Sequence, residues 1–155
     1  MARKSAGILM YRWAADVLQV MLVHPGGPFW IRRDLSSWSI PKGEYGDDEE
    51  AEAAARREFA EETGQQPNGI FLPLGALRQR TGKLITAFAL EGDLDVEKLQ
   101  SNTFEIEWPP RSGRIQSFPE IDRAAWFQMA DAHKKIVAGQ RPFLSRLERL
   151  LAARA

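Results

Sequence analysis

The stretch RREFAEETG, residues 56–64, constrains this chain most, because it places three carboxylates on the inward side of a helix. Positions i, i+3 and i+4 of a helix share one face, so Glu58, Glu61 and Glu62 fall together. Each close like-charge pair costs about 0.2–0.5 kcal/mol. The same stripe carries the small and apolar residues that should pack on a sheet, namely Ala51, Ala54, Ala55 and Phe59. The opposite side, where a solvated acidic face would be expected, carries Ala53, Arg56 and Ala60.

Two interpretations of this stretch compete. One is a surface helix stabilised by i,i+4 ion pairs such as Arg57 with Glu61. The other is a functional site in which a bound divalent cation compensates for the repulsion between the carboxylates. Acids that share a stripe with packing residues break a local rule of helix design, and such breaks favour a functional site.

Composition limits the remaining function classes. The chain has 155 residues, 44% hydrophobic and 27% charged, which predicts one globular domain over residues 1–155. Lys plus Arg and Asp plus Glu each number 21, so no global positive field favours binding of a nucleic acid polymer. Cysteine is absent, which excludes disulfides and cysteine-based zinc sites. No apolar run is long enough to span a membrane, and we expect a cytoplasmic protein.

The pattern of apolar residues predicts a mixed α/β (α+β) domain. Two β-rich runs joined by a short link predict a hairpin, and the acidic helix should run over residues 48–63. Asp47 or Asp48 is expected to cap that helix, and Gly64 to end it. The expected strands cover residues 5–13, 17–24, 70–79, 84–90 and 104–108, and two closing helices cover residues 130–138 and 142–153.

The acidic helix and the residues before it together form a longer motif. Gly43 is followed by five residues, Glu49, seven residues, and then the run from Arg57 to Gly64. This spacing resembles the motif of the Nudix hydrolases, with one departure: Gln65 stands where that family usually has an aliphatic residue. The resemblance implies a Nudix-like α/β/α sandwich with a mixed sheet and the motif as loop–helix–loop. It also implies hydrolysis of a pyrophosphate bond with Mg²⁺, or alternatively Mn²⁺.

The resemblance assigns roles to individual residues. Glu58, Glu61 and Glu62 are expected to bind the metal, together with the backbone carbonyl of Lys42. Oxygen ligands of this kind suit Mg²⁺. The catalytic residues implied are Glu58, Glu61, Arg57 and Glu120, and which carboxylate acts as the base stays open. Arg57 should orient its acidic neighbours, Glu49 should brace the loop, and Gly43 should allow close approach of phosphate.

A further carboxylate is expected from a late loop, several residues before a Trp that begins a strand. Glu120, six residues before Trp126 and directly after Pro119, fits that description. Glu105 and Glu107 are the rivals. Their i, i+2 spacing instead predicts the solvent face of a strand. We therefore expect Glu120 to complete the metal site.

Substrate choice is less constrained. The segment from Trp38 to Gly43, WSIPKG, resembles the entry of Nudix enzymes that act on dinucleoside polyphosphates and diphosphoinositol phosphates. A nucleoside triphosphate is the alternative substrate, and a non-catalytic nucleotide sensor is the alternative of another class. All acidic residues of the motif are retained, which favours an enzyme. Candidate substrate-binding residues are Lys42, Trp38, Arg33, Arg80 and Lys83.

Overall fold

The computed structural model describes residues 3–154. The strands are Lys4–Ala14 (β1), Val17–Pro25 (β2), Lys42–Glu44 (β3), Leu72–Arg78 (β4), Leu84–Glu91 (β5), Thr103–Glu107 (β6), Ile115–Pro119 (β7) and Ile121–Gln128 (β8). The helices are Ala51–Thr63 (α1), Met129–Lys135 (α2) and Arg141–Arg154 (α3), with 3-10 turns at Val96–Lys98 and Ala138–Gln140. No helix in this part of the chain is long and apolar enough to cross a membrane.

One mixed sheet organises the molecule. Its strand order is β4-β5-β1-β2-β8, and β3 pairs with the first residues of β1. The β1–β5 pair is parallel, while the other pairs in this sheet are antiparallel. Because β3 leads directly into α1, the pairing of Gly43 with Ala6 fixes where the acidic helix starts relative to the sheet.

Helices cover both faces of this sheet. The face under α1 buries a cluster that includes Ala6, Ile8, Met21, Ala54, Ala55 and Phe59. The opposite face, under α2 and α3, buries a cluster that includes Leu9, Leu22, Trp38, Ile40, Phe143 and Leu147. The alternation of apolar residues along β1 and β2 supplies both cores, because successive side chains of a strand point to opposite faces. The architecture is the expected mixed α/β sandwich.

Two local predictions were wrong. Helix α1 begins at Ala51 and not at residue 48, and its N-cap residue Glu50 makes no side-chain cap hydrogen bond. Asp47, expected as a cap, instead accepts a hydrogen bond from Lys4 Nζ at 2.6 Å. Strand β8 begins at Ile121, so Trp126 lies within it and does not begin a strand.

Strands β6 and β7 form a separate two-stranded sheet, and β7 was not expected from the sequence. Glu105 and Glu107 are exposed on β6, whereas Phe104 and Ile106 are half-buried, so the predicted face alternation holds. The hairpin matters for the site, since Glu120 lies at the bend between β7 and β8.

Candidate active site

The acidic stripe of α1 lies beside β3, as the helical pattern predicts. Ala54, Ala55 and Phe59 are fully buried against the sheet, and Glu58 and Glu62 continue the same side as partly buried carboxylates. A Cβ at residue 43 would collide with the carboxyl group of Glu58, so only glycine allows this close approach.

Arg57 donates hydrogen bonds to several carboxylates of the motif. Its Nε and Nη2 donate to the two carboxylate oxygens of Glu49, each at 2.9 Å. Its Nη1 donates to Glu58 Oε1 at 2.9 Å and to Glu61 Oε1 at 3.3 Å. The bidentate bonds lower the pKa of Glu49 below its ordinary value. One guanidinium thus fixes three carboxylates of the motif.

Two glutamates further along the motif have raised pKa values, in contrast to Glu49. Burial raises the pKa of Glu62 from 4.5 to about 8, although a hydrogen bond from the Lys42 backbone N–H at 3.2 Å opposes the shift. Burial also raises the pKa of Glu58, against the bond from Arg57. Repulsion from Glu120 contributes to both increases, which places its carboxylate near these two.

Helix α1 ends as the sequence predicts. Gly64 has a left-handed backbone with φ of 77°, and its N–H donates to the carbonyl of Ala60 at 2.8 Å. A Cβ on Gly64 would also press on the backbone of Gln100. Gly64 therefore lets the chain segment at residues 100–102 lie against the end of the acidic helix.

That segment carries a chain of backbone hydrogen bonds from the helix to Glu120. Asn102 N–H donates to the carbonyl of Glu61 at 3.1 Å, and Glu120 N–H donates to the carbonyl of Asn102 at 2.8 Å. Gly26 N–H in turn donates to the carbonyl of Glu120 at 2.8 Å. We call this series the backbone tether. It brings Glu120, which is itself exposed, to the end of the acidic helix, and Glu105 and Glu107 lie on β6 outside the tether.

A cavity of about 350 Å³ joins several of these groups. Lys42, Glu62 and Glu120 line it, together with Trp30 and a floor that includes Ile40, Ile121 and Gln140. We call it the Glu62 cavity. Its volume lies within the range of small-molecule sites, roughly 300–1,000 Å³. The cavity combines carboxylates, a lysine and an indole, the groups that a metal-bound phosphorylated nucleoside requires.

Two of the candidate substrate residues lie close together. Burial and the neighbouring charge of Lys83 both lower the pKa of Lys42. Lys83 Nζ lies 3.8 Å from Glu44 Oε2, which is a weak pairing. The two neighbouring cations repel each other, and an anion bound between them would relieve this repulsion.

The other candidates are placed differently. Arg80 is exposed in the turn between β4 and β5, and Arg33 is exposed outside the Glu62 cavity. Trp38 is 3% exposed, its indole N–H donates to Asp34, and it packs edge-on against Phe127. Trp38 thus packs mainly in the core, while Trp30, which is 37% exposed, presents its indole to the cavity.

As a lone histidine at the edge of a Gly/Pro-rich stretch, His24 is predicted to lie in a surface loop, and the structure shows this prediction to be wrong. It is fully buried on β2, with Nδ1 2.8 Å from Asp122 Oδ1 and Nε2 2.6 Å from the carbonyl oxygen of Arg33. These bonds fasten the loop after β2 to strand β8. The sequence signal that was available is the apolar alternation of β2, in which His24 follows Leu22 on the inward face.

The donor set suits a hard divalent cation. Carboxylates from α1 and from the late bend lie near one another, and burial raises the pKa of both Glu58 and Glu62. As they stand, no three His, Cys, Asp or Glu side chains within residues 3–154 are arranged to hold a metal ion. Arg57 accounts for part of this, because it draws Glu58 and Glu61 toward its guanidinium. The residues fit Mg²⁺ by chemistry, and their side chains would have to turn to ligate it.

Known proteins share this architecture. The family model described as NUDIX domain matches residues 1–147, in agreement with the resemblance of the motif. A C. elegans Ap4A hydrolase, solved as a binary complex, is 21% identical with a TM-score of 0.68, over 96% of this chain and 98% of that chain. The NUDIX domain of Shewanella oneidensis NrtR, solved with ADP ribose, is 17% identical with a TM-score of 0.66, over 97% and 89%.

A shorter sequence match has higher identity. The chain is 44% identical over 50 residues to the RNA pyrophosphohydrolase of Caulobacter vibrioides (strain NA1000 / CB15N). That match spans 29% of this chain and 29% of the relative.

Proposed function

The chain belongs to the Nudix hydrolase family, and we propose that it cleaves a pyrophosphate bond in a nucleoside diphosphate linked to another group, with dinucleoside polyphosphates as its substrate class. The observation that carries the proposal is the Glu62 cavity. Its lining includes the motif carboxylate Glu62, the late carboxylate Glu120, Lys42 and Trp30, which supports the proposal. We also propose the cytoplasm as its compartment.

The proposed metal ligands are Glu58, Glu61, Glu62, Glu120 and the backbone carbonyl of Lys42. A bound Mg²⁺ would neutralise phosphate charge and acidify the attacking water. Arg57 binds Glu58 and Glu61 through its Nη1, and these two carboxylates would turn from the guanidinium toward the metal. We propose Glu120 and Glu58 as the two candidates for the base that takes the proton of that water, because the charges of both lie near Glu62.

The proposed substrate contacts divide by chemistry. Lys42 and Lys83 would neutralise phosphate oxygens, since within residues 3–154 neither side chain has a close carboxylate partner. Trp30 offers a face on which a nucleoside base can stack. Lys42, whose backbone N–H already binds Glu62, links the phosphate contacts to the carboxylates.

Turnover with a panel of compounds tests the proposal. The panel contains a dinucleoside tetraphosphate, a nucleoside triphosphate, ADP-ribose and a 5′-triphosphorylated oligonucleotide, each with and without Mg²⁺. We expect the dinucleoside tetraphosphate to have the highest kcat/KM and every reaction to need the metal. Highest activity on the triphosphate would replace the proposed substrate class with the alternative one. Binding without turnover of any compound would instead show a sensor, and would refute the enzyme.

A further inference from the structure

A further cavity lies away from the acidic motif, at the other end of the sheet. It measures about 490 Å³, which falls within the range of small-molecule sites. Strands β1 and β5, the start of β4 and the last turn of α3 contribute its lining residues, which are Tyr11, Gly69, Ile70, Leu72, Glu91 and Arg154. We call it the Tyr11 cavity.

The register of the sheet separates the Tyr11 cavity from the Glu62 cavity. Lys42 pairs with Gly7 on β1, and Tyr11 lies four residues further along the same strand. Because each strand residue rises by about 3.3 Å, roughly 13 Å of strand separates the two positions. Within the described part of the chain, the two cavities share no lining residue. The Tyr11 cavity is therefore distinct from the proposed place of hydrolysis.

Tyr11 is the buried polar residue of this cavity. It is 6% exposed and packs in the core under α3, yet its hydroxyl group makes no hydrogen bond within residues 3–154. Burial and the charge of Glu91 raise the pKa of Tyr11, whereas the charge of Arg154 lowers it. Since both of these charged residues line the cavity, the hydroxyl that they act on points into it. The hydroxyl stays protonated at neutral pH and is available as a hydrogen-bond donor.

Glu91 and Arg154 flank this hydroxyl as opposite charges that do not pair with each other. Glu91 is the partner of Tyr11 in the parallel β1–β5 pair, so the two side chains project from the same face of the sheet. Arg154 comes from the last turn of α3, the helix that covers this face. Within residues 3–154 neither side chain forms an ion pair or a hydrogen bond. An acid, a base and a hydroxyl donor thus border one space without partners.

Apolar side chains complete the cavity. Leu72 packs half-buried against the core under α3, and Ile70 is 80% exposed beside it. A ligand with an apolar group would gain free energy by covering this surface. The lining therefore favours a small molecule that carries a positive charge, a negative charge and an apolar group.

We propose that the Tyr11 cavity binds a small zwitterion, an α-amino acid with an apolar side chain. Arg154 would bind the carboxylate, to which the Tyr11 hydroxyl would also donate, and Glu91 would accept hydrogen bonds from the α-ammonium group. The apolar side chain of the ligand would lie on Leu72 and Ile70. Both charges are required, because a ligand with one charge leaves either Glu91 or Arg154 unpaired. The inference goes beyond the proposed function, since hydrolysis uses none of these residues.

NMR titration of the metal-free protein tests this proposal, because amide shifts give weak Kd values and also locate the binding site. The probes are L-leucine, N-acetyl-L-leucine, which lacks the ammonium charge, and L-leucinamide, which lacks the carboxylate. The variants are Glu91→Gln, Arg154→Gln and Tyr11→Phe, the last of which keeps the buried ring. The matched control is Arg149→Gln, which removes an exposed charge on α3 outside the cavity.

We expect L-leucine to shift the amides around the Tyr11 cavity and to bind about ten-fold more tightly than either analogue, as one charged hydrogen bond contributes. Glu91→Gln should remove the preference for L-leucine over N-acetyl-L-leucine, and Arg154→Gln the preference over L-leucinamide. Tyr11→Phe should raise the Kd of L-leucine roughly five-fold, because a single neutral donor is lost.

Two results would overturn the inference. One is the absence of amide shifts around the cavity with L-leucine, or equal affinity of the parent for the three probes. The other is a set of losses in Glu91→Gln, Arg154→Gln and Tyr11→Phe no larger than that of Arg149→Gln. All of these readings are binding measurements without metal or nucleotide. A chain that hydrolyses no nucleotide could still show them, so failure of the proposed function and failure of this inference are distinguishable.

Discussion

The glutamates at the two ends of the acidic motif have opposite environments. At the loop end, Arg57 binds both oxygens of Glu49 and lowers the pKa of that carboxyl. At the helix end, burial raises the pKa of Glu62 to about 8, and its bonding partner is a single backbone N–H. The difference teaches that the motif contains both an acid that holds the loop, Glu49, and an acid without an ion pair in residues 3–154, Glu62.

The largest effect on activity is expected at Glu62. Glu62→Gln keeps the size of the side chain and removes its charge, so we expect hydrolysis to fall by about 10³-fold. The metal-free variant should be as stable as the parent or more stable, because a desolvated, repelled charge is gone. Steady-state kinetics and melting curves without Mg²⁺ check both parts. Glu52→Gln, on the exposed side of the same helix, is the control.

A loss of metal-free stability in Glu62→Gln would contradict the comparison, because it would make Glu62 a structural acid like Glu49. Glu61→Gln should behave as Glu62→Gln does in activity, since both are proposed ligands.

The next effect concerns the late carboxylate. Glu120→Gln should lower turnover by about 10²-fold, because a proton acceptor or a metal ligand is lost. Its melting temperature should stay close to that of the parent, since only the backbone of Glu120 is engaged in hydrogen bonds. Glu105→Gln and Glu107→Gln serve as controls and should stay within several-fold of the parent. An essential Glu105 or Glu107 with a dispensable Glu120 would show that the assignment of the late acid is wrong.

A smaller effect is expected at the paired end. Glu49→Gln removes the bidentate partner of Arg57, so the guanidinium no longer holds a fixed position beside Glu58. We expect an activity loss of roughly ten-fold, as for other residues that orient ligands. The melting temperature should fall, in contrast to Glu62→Gln. If Glu49→Gln and Glu62→Gln changed activity and melting temperature equally, Glu49 and Glu62 would not have the different roles proposed here.

The smallest effect is a pH dependence of stability. The folded-state pKa of Glu62, about 8, lies above its ordinary value of 4.5. The folded protein therefore retains a proton that the unfolded chain releases, so Glu62 lowers stability as the pH rises from 4.5 to 8. Denaturant unfolding of the metal-free protein across this range should show the decline. The decline should be shallower in Glu62→Gln, and a parallel decline in both proteins would exclude Glu62 as its source.

The sequence predicted those parts of the site that are local along the chain. Helical spacing placed Glu58 and Glu62 on the packing side, and Gly64 marked the end of α1. Two β-rich runs around a short link predicted the β1–β2 hairpin. These features depend on periods of 3.6 or 2 residues and on one glycine, and such signals are visible in a few neighbouring positions.

Features that depend on distant partners could not be predicted. Asp47 pairs with Lys4, 43 residues away, and does not cap α1, which begins at Ala51. His24 looked isolated because Asp122, its partner, lies 98 residues further along the chain. Strand β7 is short and largely exposed, so it lacks the apolar run that marks a buried strand. In each case the structure depends on the partner with which the residue or strand pairs, and the residue's own neighbours in the sequence do not reveal that partner.

The backbone tether from α1 to Glu120 has a consequence for how this site tolerates change. Every bond in it joins main-chain groups of Glu61, Asn102, Glu120 and Gly26. Side chains can be exchanged at Glu61, Asn102 and Glu120 without losing a bond, provided that the new residue is not proline. Gly26 is different, because a Cβ there would collide with the carbonyl oxygen of Pro119. An insertion or deletion within the short stretch at residues 100–102 would also shift a donor past its acceptor. The tether therefore depends on one glycine and on the local length of the chain, and not on the chemistry of its other side chains.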